Sequence, residues 1–249
     1  TFSLVAERSE VANRLVSLIE GAEESIDVAS THLRLRPVAD ALLTKAALQP
    51  HVTIRVLLDG QEYTSLWRQE KQDAKVADCV ANSGTDGGDL CRDVGYYFAR
   101  DLTDAGIPVR FKWNAFRWHY LTSEQMHHKY LVIDGRHLVT GSYNLSNNAE
   151  HKTFENIVVL QGDAYPHLVQ SFEDNFNSLW DLGVDENLAA DLLEQVLSGT
   201  GAVPLIFEPM SVTTHQIDVL KAAIREACPA VDEDPAFHAH PESHHVCHP

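Results

Sequence analysis

The sequence predicts an α/β protein, an α/β/α sandwich around a mixed central β-sheet. Three observations carry this. The first 60 residues alternate amphipathic helix with short apolar strand. The later run Leu131–Asp134 is nearly all apolar, as a strand buried on both faces at the centre of a sheet is. The 249 residues, 44% of them hydrophobic, supply a sizeable core and exclude wholesale disorder.

Residues 7–21 read as a helix with Val11, Leu15, Leu18 and Ile19 on one stripe. Ser25–Ser30 reads as a strand. Residues 37–48 form a second helix, with Pro37 suited to its first turn. Val52–Leu58 is a strand closed by the turn signal Asp59–Gly60. Residues 61–90 break this rhythm: they are polar, carry Trp67 and a Gly-rich stretch, and read as an insertion. A helix at about 92–105 and a strand at Pro108–Trp113 follow. Asn114–Gln125, with Phe116, Trp118, His119 and Tyr120, reads as an aromatic loop, fit either to line a groove and stack bases or to pack in the core or against a second copy.

Met126–Asp134 is expected as a strand, Gly135–Arg136 as a turn, and His137–Thr140 and Phe154–Leu160 as further strands. Residues 163–182 form a long helix with Leu168, Phe172, Phe176, Leu179 and Trp180 on its apolar side. Two regions result: a main domain over 1–183 and a C-terminal extension over 184–249. The extension holds short elements at about 186–198, 203–207 and 213–227, then an irregular tail. There is no internal repeat. The tail residues His238, His240, His244, His245, Cys247 and His248 match no standard structural zinc spacing, so no metal is expected there.

The formal charge is −17, and residues 181–249 carry twelve acidic residues against two basic ones. Composition therefore offers no general basic surface for nucleic acid. No apolar run approaches the length of a membrane span. The chain opens at Thr1 without a signal-like segment, which reads as a chain trimmed by a cell or in cloning, with any targeting peptide gone. Four cysteines fit two disulfides in sequence order, Cys79–Cys91 and Cys228–Cys247, or four free thiols. Their loop-like and Pro-containing surroundings favour disulfides, hence a periplasmic or secreted protein.

The chemistry concentrates in His127-His128-Lys129-Tyr130-Leu131-Val132-Ile133-Asp134, six further residues, and Gly141-Ser142-Tyr143-Asn144. Strand alternation projects His127 and Lys129 together and turns His128 away. An imidazole beside a fixed cation suits attack on a phosphorus bearing negative oxygens. A glycine-serine turn after a strand can present N–H groups and a hydroxyl to an anion. Asn144 adds an amide donor, and Glu155 can hold the far nitrogen of a histidine.

This pattern resembles the HKD motif of the phospholipase D superfamily: His-x-Lys, four residues, Asp, six residues, Gly-Ser-x-Asn. The strands SIDVAS and IRVLLD resemble that family's half-domain as well. The resemblance implies a phosphodiesterase with His127 as nucleophile, forming a phosphohistidine. It implies that Lys129, Ser142 and Asn144 bind phosphoryl oxygens, that Asp134 and Gly141 are structural, and that Glu155 orients a histidine. No cofactor or metal is implied. The family's site uses two motifs and this chain carries one, so a homodimer with a shared site is expected, as in the small bacterial endonucleases of the family. A nuclease on DNA or RNA is the first reading. A phospholipid headgroup hydrolase is the alternative, and a catalytically idle binding module a third.

Overall fold

The structure, a computed structural model, describes residues 10–83, 91–93, 95–112 and 125–191. The chain divides into two compact units, Thr1–Ile206 and Phe207–Pro249, and the described residues belong to the first. Expectations for Phe116, Trp118, His119 and Tyr120, for Cys228 and Cys247, and for the elements past residue 191 lie outside the described residues.

In chain order the elements are α1 (Glu10–Glu20), β1 (Ser25–Ser30), β2 (Leu33–Arg34), α2 (Arg36–Leu48) and β3 (Thr53–Asp59), then a 3-10 turn at Gly60–Glu62. They continue with α3 (Leu66–Ser83), α4 (Ala99–Asp104), β4 (Val109–Lys112), β5 (Lys129–Ile133), β6 (His137–Gly141) and β7 (Leu145–Ser146). Last come α5 (Asn147–His151), β8 (Ile157–Gln161) and α6 (Pro166–Leu182). Six strands form one sheet in the order β4-β3-β1-β5-β6-β8, and β2 pairs with β7 in a separate two-stranded ribbon. β1, β3 and β4 run parallel, while β5, β6 and β8 alternate in direction. The sheet is therefore mixed, with helices on both faces.

Period-two alternation sorts the sheet's side chains. Ile26, Val28, Val56, Leu58, Leu131 and Ile133 join one core with Leu15 and Ile19 of α1 and Val38 and Leu42 of α2. Ala29, Leu57, Tyr130, Val132 and Leu138 join the other, beneath Val169 and Phe176 of α6. On this second face Asp27 and Arg55, partners in the β1–β3 register, pair through two 2.7 Å bonds while the guanidinium lies over Phe176. On the first face the buried Lys45 ammonium donates to the carbonyls of Glu20 (2.5 Å) and Ala22 (3.0 Å). That satisfies acceptors left open where α1 ends and fastens α2 to α1.

Several boundaries differ from the sequence expectation. The strand expected from Met126 begins at Lys129, because its neighbour β1 already ends at Ser30, opposite Lys129. The strand expected from Phe154 begins at Ile157, so Glu155 lies ahead of it, next to a wholly exposed Phe154. The helix expected at 92–105 is regular over Ala99–Asp104. The stretch read as an insertion is mostly the 18-residue helix α3. Cys79 on that helix is joined to Cys91 by a disulfide. Past Gly183 the backbone of Val184 bridges to Phe111, and Ala189 enters the first core. Among the described residues no helix is long and apolar enough to cross a membrane.

The β5–β6 hairpin turns on Asp134 (φ 54) and Gly135 (φ 56), closed by Arg136 N–H donating to the Ile133 carbonyl at 2.9 Å. Two successive positive φ values are what a type I′ turn requires, and Asp-Gly is among the pairs that adopt them readily. The Asp134 carboxylate accepts three backbone N–H groups, from Glu23 (2.9 Å), Glu24 (2.7 Å) and Ser25 (2.8 Å). Partial burial works to raise its pKa, but these donors and the charge of Arg136 outweigh it and hold the carboxyl below its usual range. A depressed carboxyl stabilises the fold above its unfolded pKa, and that contribution is lost as pH falls through the folded one. Asp134→Asn keeps the shape and the tolerance of positive φ but removes the charge. It is expected to cost about 1–2 kcal/mol at neutral pH, read from the urea midpoint. The difference from wild type should begin to narrow below about pH 4 and close only once the pH is under the depressed folded value. Coincident urea curves at neutral pH would refute this role.

Candidate active site

The carboxyl ends of β1 and β3, the start of β5 and the end of β6 meet at one edge of the sheet. Crevices at such edges, where strand order reverses, are where open α/β sheets bind ligands. The motif segment is pinned there from both sides. Met126 N–H donates to the Asp59 carboxylate at 2.7 Å, and the His128 carbonyl accepts from Thr31 N–H at 3.2 Å. Burial and the nearby Glu62 charge raise the pKa of Asp59 against the opposing pull of its backbone donors and His32.

His128 sets its ring edge-on to Tyr130, 5.5 Å between centroids, and Tyr130 in turn meets Phe172 of α6 at 5.0 Å. His128 thus belongs to the α6 face, and alternation assigns His127 to the opposite face with Lys129. The residue stays solvent-accessible as a whole, yet its ring is partly buried. That burial, with the charges of Lys112, Lys129 and His127, lowers its pKa and favours the neutral form. His127 itself is exposed.

The Lys129 ammonium donates to the His127 carbonyl at 2.8 Å and to Thr31 Oγ1 at 3.1 Å. Two of its three N–H bonds are thereby spent on fixing its position, and the third remains for a ligand. Burial lowers its pKa, with Glu155 acting in the other direction. The aliphatic side chains of Leu131, Val139, Leu145 and Ile157 line a cavity together with it.

Across the sheet edge, Gly141 brings β6 against the chain entering β8. A Cβ there would stand 2.1 Å from the Asn156 carbonyl oxygen, so only glycine permits the approach. Ser142 N–H then donates to the Asn156 carbonyl at 3.1 Å, and Asn156 N–H returns a bond to Ser142 Oγ at 3.1 Å. Ser142 Oγ donates to Glu155 at 2.5 Å, and Thr153 Oγ1 donates to the other carboxylate oxygen at 2.9 Å. Among the described residues, then, Glu155 meets Ser142 and Thr153 and no histidine, and the Ser142 hydroxyl is engaged. Tyr143 points inward and donates to Glu150, whose other oxygen accepts from Ala12 N–H of α1 at 3.5 Å. The Asn144 side-chain oxygen is buried without a hydrogen-bond partner among the described residues.

Lys129, Gly141, Ser142, Asn144 and Glu155 therefore gather at one edge with the backbone of His127, while Asp134 lies at the opposite end of β5. Thr31, Asp59 and the neighbouring His32 and Glu62 belong to the same edge and were not marked by the motif. Among the described residues no group of three or more His, Cys, Asp or Glu side chains is placed to share a metal ion.

Residues 15–180 match the family model described as "Cardiolipin synthase, PLD-like domain". The chain is similar to the mitochondrial cardiolipin hydrolase of Chlamydomonas reinhardtii, 43% identical over 61 residues, covering 24% of this chain and 26% of that protein. It is similar to the one from Danio rerio, 33% identical over 87 residues, covering 35% and 34%. It thus spans about a quarter to a third of the curated relatives it matches. Among solved structures it is similar to Nuc, a phospholipase D family member from Salmonella typhimurium. That match is 23% identical with a TM-score of 0.45, covering 70% of this chain and 88% of that one.

The close approach at Gly141 generates a test of the edge. Gly141→Ala must push β6 from the Asn156 carbonyl and is expected to cost at least about 2 kcal/mol, as overpacking of fixed backbone does. A thermal melt unchanged from wild type would show that the two strands can separate freely there.

Proposed function

Because this chain belongs to the phospholipase D-like domain family, we propose that it is a phosphodiesterase working through a covalent phosphohistidine on His127. The observation that carries the reading is the seating of Lys129. Its ammonium is anchored to the His127 carbonyl and to Thr31, one N–H is left over, and the Asn144 amide nitrogen, engaged by no described residue, belongs to the same edge. These groups supply the positive charge and the donors that a phosphoryl group in transit needs.

In the first step a ring nitrogen of His127 attacks phosphorus, and the bond from phosphorus to the leaving oxygen breaks. That oxygen takes a proton from a general acid. Water then attacks phosphorus, giving a proton to the group that served as the acid and is now its conjugate base; the phosphorus–nitrogen bond breaks, and the imidazole is released. A second imidazole is needed as the acid. A symmetric homodimer would supply it as the second copy of His127, through an isologous interface. In such a dimer Glu155 is available to a histidine of the other copy. Nucleic acid is the first substrate class. The matches to cardiolipin hydrolases favour phospholipid headgroups as a second, and the −17 charge accords with a substrate not gathered by a general basic surface. The Cys79–Cys91 disulfide supports an oxidising compartment, periplasmic or secreted.

Plasmid DNA, RNA and cardiolipin vesicles incubated with the protein in excess EDTA test activity and substrate class together. Turnover should persist in EDTA, since Lys129 and Asn144 already address the phosphoryl charge. His127→Ala should fold and lose more than about 10³-fold in kcat, whereas His128→Ala should stay within about tenfold of wild type. Loss of activity in EDTA with recovery on adding magnesium, or a dead His128→Ala beside an active His127→Ala, would overturn the reading. Light scattering should give a dimer, and a fully active monomer would sink the shared site.

A further inference from the structure

Glu62, on the turn after β3, is completely buried, and its carboxylate gathers three consecutive residues. It meets His32 Nδ1 at 2.8 Å, Leu33 N–H at 3.3 Å, and Arg34 through Nε at 2.9 Å and Nη2 at 2.6 Å. Burial alone would raise its pKa, but His32 and Arg34 outweigh that and hold it ionised. A carboxylate can only accept, so the Nδ1 of His32 carries the proton. The other ring nitrogen, Nε2, has no hydrogen-bond partner among the described residues.

Arg34 alone could balance the charge of Glu62, so the histidine exceeds what neutralisation requires. Its position on the chain is informative. The preceding residue, Thr31, accepts the Lys129 ammonium. The following residues, Leu33 and Arg34, pair in parallel register with Leu145 and Ser146. One step back in that register sets His32 opposite Asn144. His32 is thus flanked by the two groups that address the phosphoryl oxygens, and its side chain keeps 26% of its surface open.

We propose that His32 is a further phosphate-binding residue of this site: Glu62 fixes its ring through Nδ1, and the second ring nitrogen, Nε2, as the N–H of the imidazolium form, donates to an oxygen of the phosphodiester held by Lys129 and Asn144. Glu62 is then a positioning residue. The charged groups around the imidazole are Glu62, with Arg34 on the same carboxylate, and Asp59. The inference rests on the phosphodiesterase reading for its substrate class, and on the β2–β7 register and the Glu62 contacts for its geometry.

Two measurements test it. With bis(p-nitrophenyl) phosphate as a soluble phosphodiester, His32→Ala should raise KM about tenfold, the effect of one charge-assisted hydrogen bond, and this rise should exceed any fall in kcat. His32→Gln, which restores a neutral donor near the same place, should recover part of the loss. An unchanged KM, or equal KM for the Ala and Gln variants, overturns the proposal. The second measurement needs no variant and no turnover. Inorganic phosphate added to the wild-type protein should shift the His32 ring nitrogen resonances together with the Asn144 amide. Movement of Asn144 with a motionless His32, or no movement of either, overturns the proposal. A His32 shift in a protein that cleaves no phosphodiester would retain the binding site and refute the catalytic reading instead.

Discussion

The carboxylate of Asp134 holds together the two halves of the sheet. It sits in the turn of the β5–β6 hairpin, yet its oxygens are committed to the amides that begin β1, more than 100 residues earlier. Those bonds fix where β5 lies along β1, and a one-residue slip would turn every side chain of β5 to the wrong face. In the register observed, Lys129 stands opposite Ser30 and beside Thr31. One end of β5 thus sets the geometry of the other. The motif's aspartate, five residues and one strand length away from the lysine, acts on the site through the alignment of the sheet.

At the far edge, charge is balanced in short, separate groups. Glu155 is occupied by Ser142 and Thr153, Glu62 by His32 and Arg34, and Asp59 by backbone donors. Lys129 is the cation whose fixed partners are neutral oxygens, a hydroxyl and a carbonyl. An ammonium held by dipoles instead of a carboxylate keeps its charge available to an anionic ligand. Burial lowers its pKa at the same time, which places the charge in surroundings where it acts strongly.

Much of the architecture was legible in the sequence because it rests on periodicity. The stripe Leu15, Leu18 and Ile19, the apolar part of the run Leu131–Asp134 and the side of α6 that carries Phe172, Phe176, Leu179 and Trp180 each announce a face that is packed against the core, whereas Leu168, read on the same side of α6, lies one turn too near its start and is exposed. Strand ends were less legible, since a strand ends where its neighbour does, and β1 stops three residues short of meeting Met126. Helix α3 was hidden by its polarity: none of its described residues is fully buried, and only the partly buried Val76 packs against the core. The spaced motif marked Lys129, Ser142 and Asn144. His32 and Glu62 carried no comparable signal. They lie 30 residues apart, on a loop and a turn, and only the pairing of β2 with β7 brings the first of them beside the motif.

The placing of Asp134 also bears on how the chain is made. A ribosome releases Glu23, Glu24 and Ser25 long before the carboxylate that will receive their amides, and β1 before its neighbour β5. During that interval β1 can pair on one side only, with β3, and a ready flank of backbone stays open to whatever strand meets it first. The hairpin that closes this flank is local and quick to form once its turn is out. The Asp-Gly turn therefore works as a late clasp: one short, fast event closes the open flank of β1, leaves only β8 to be added, and brings the lysine to its post in the same movement.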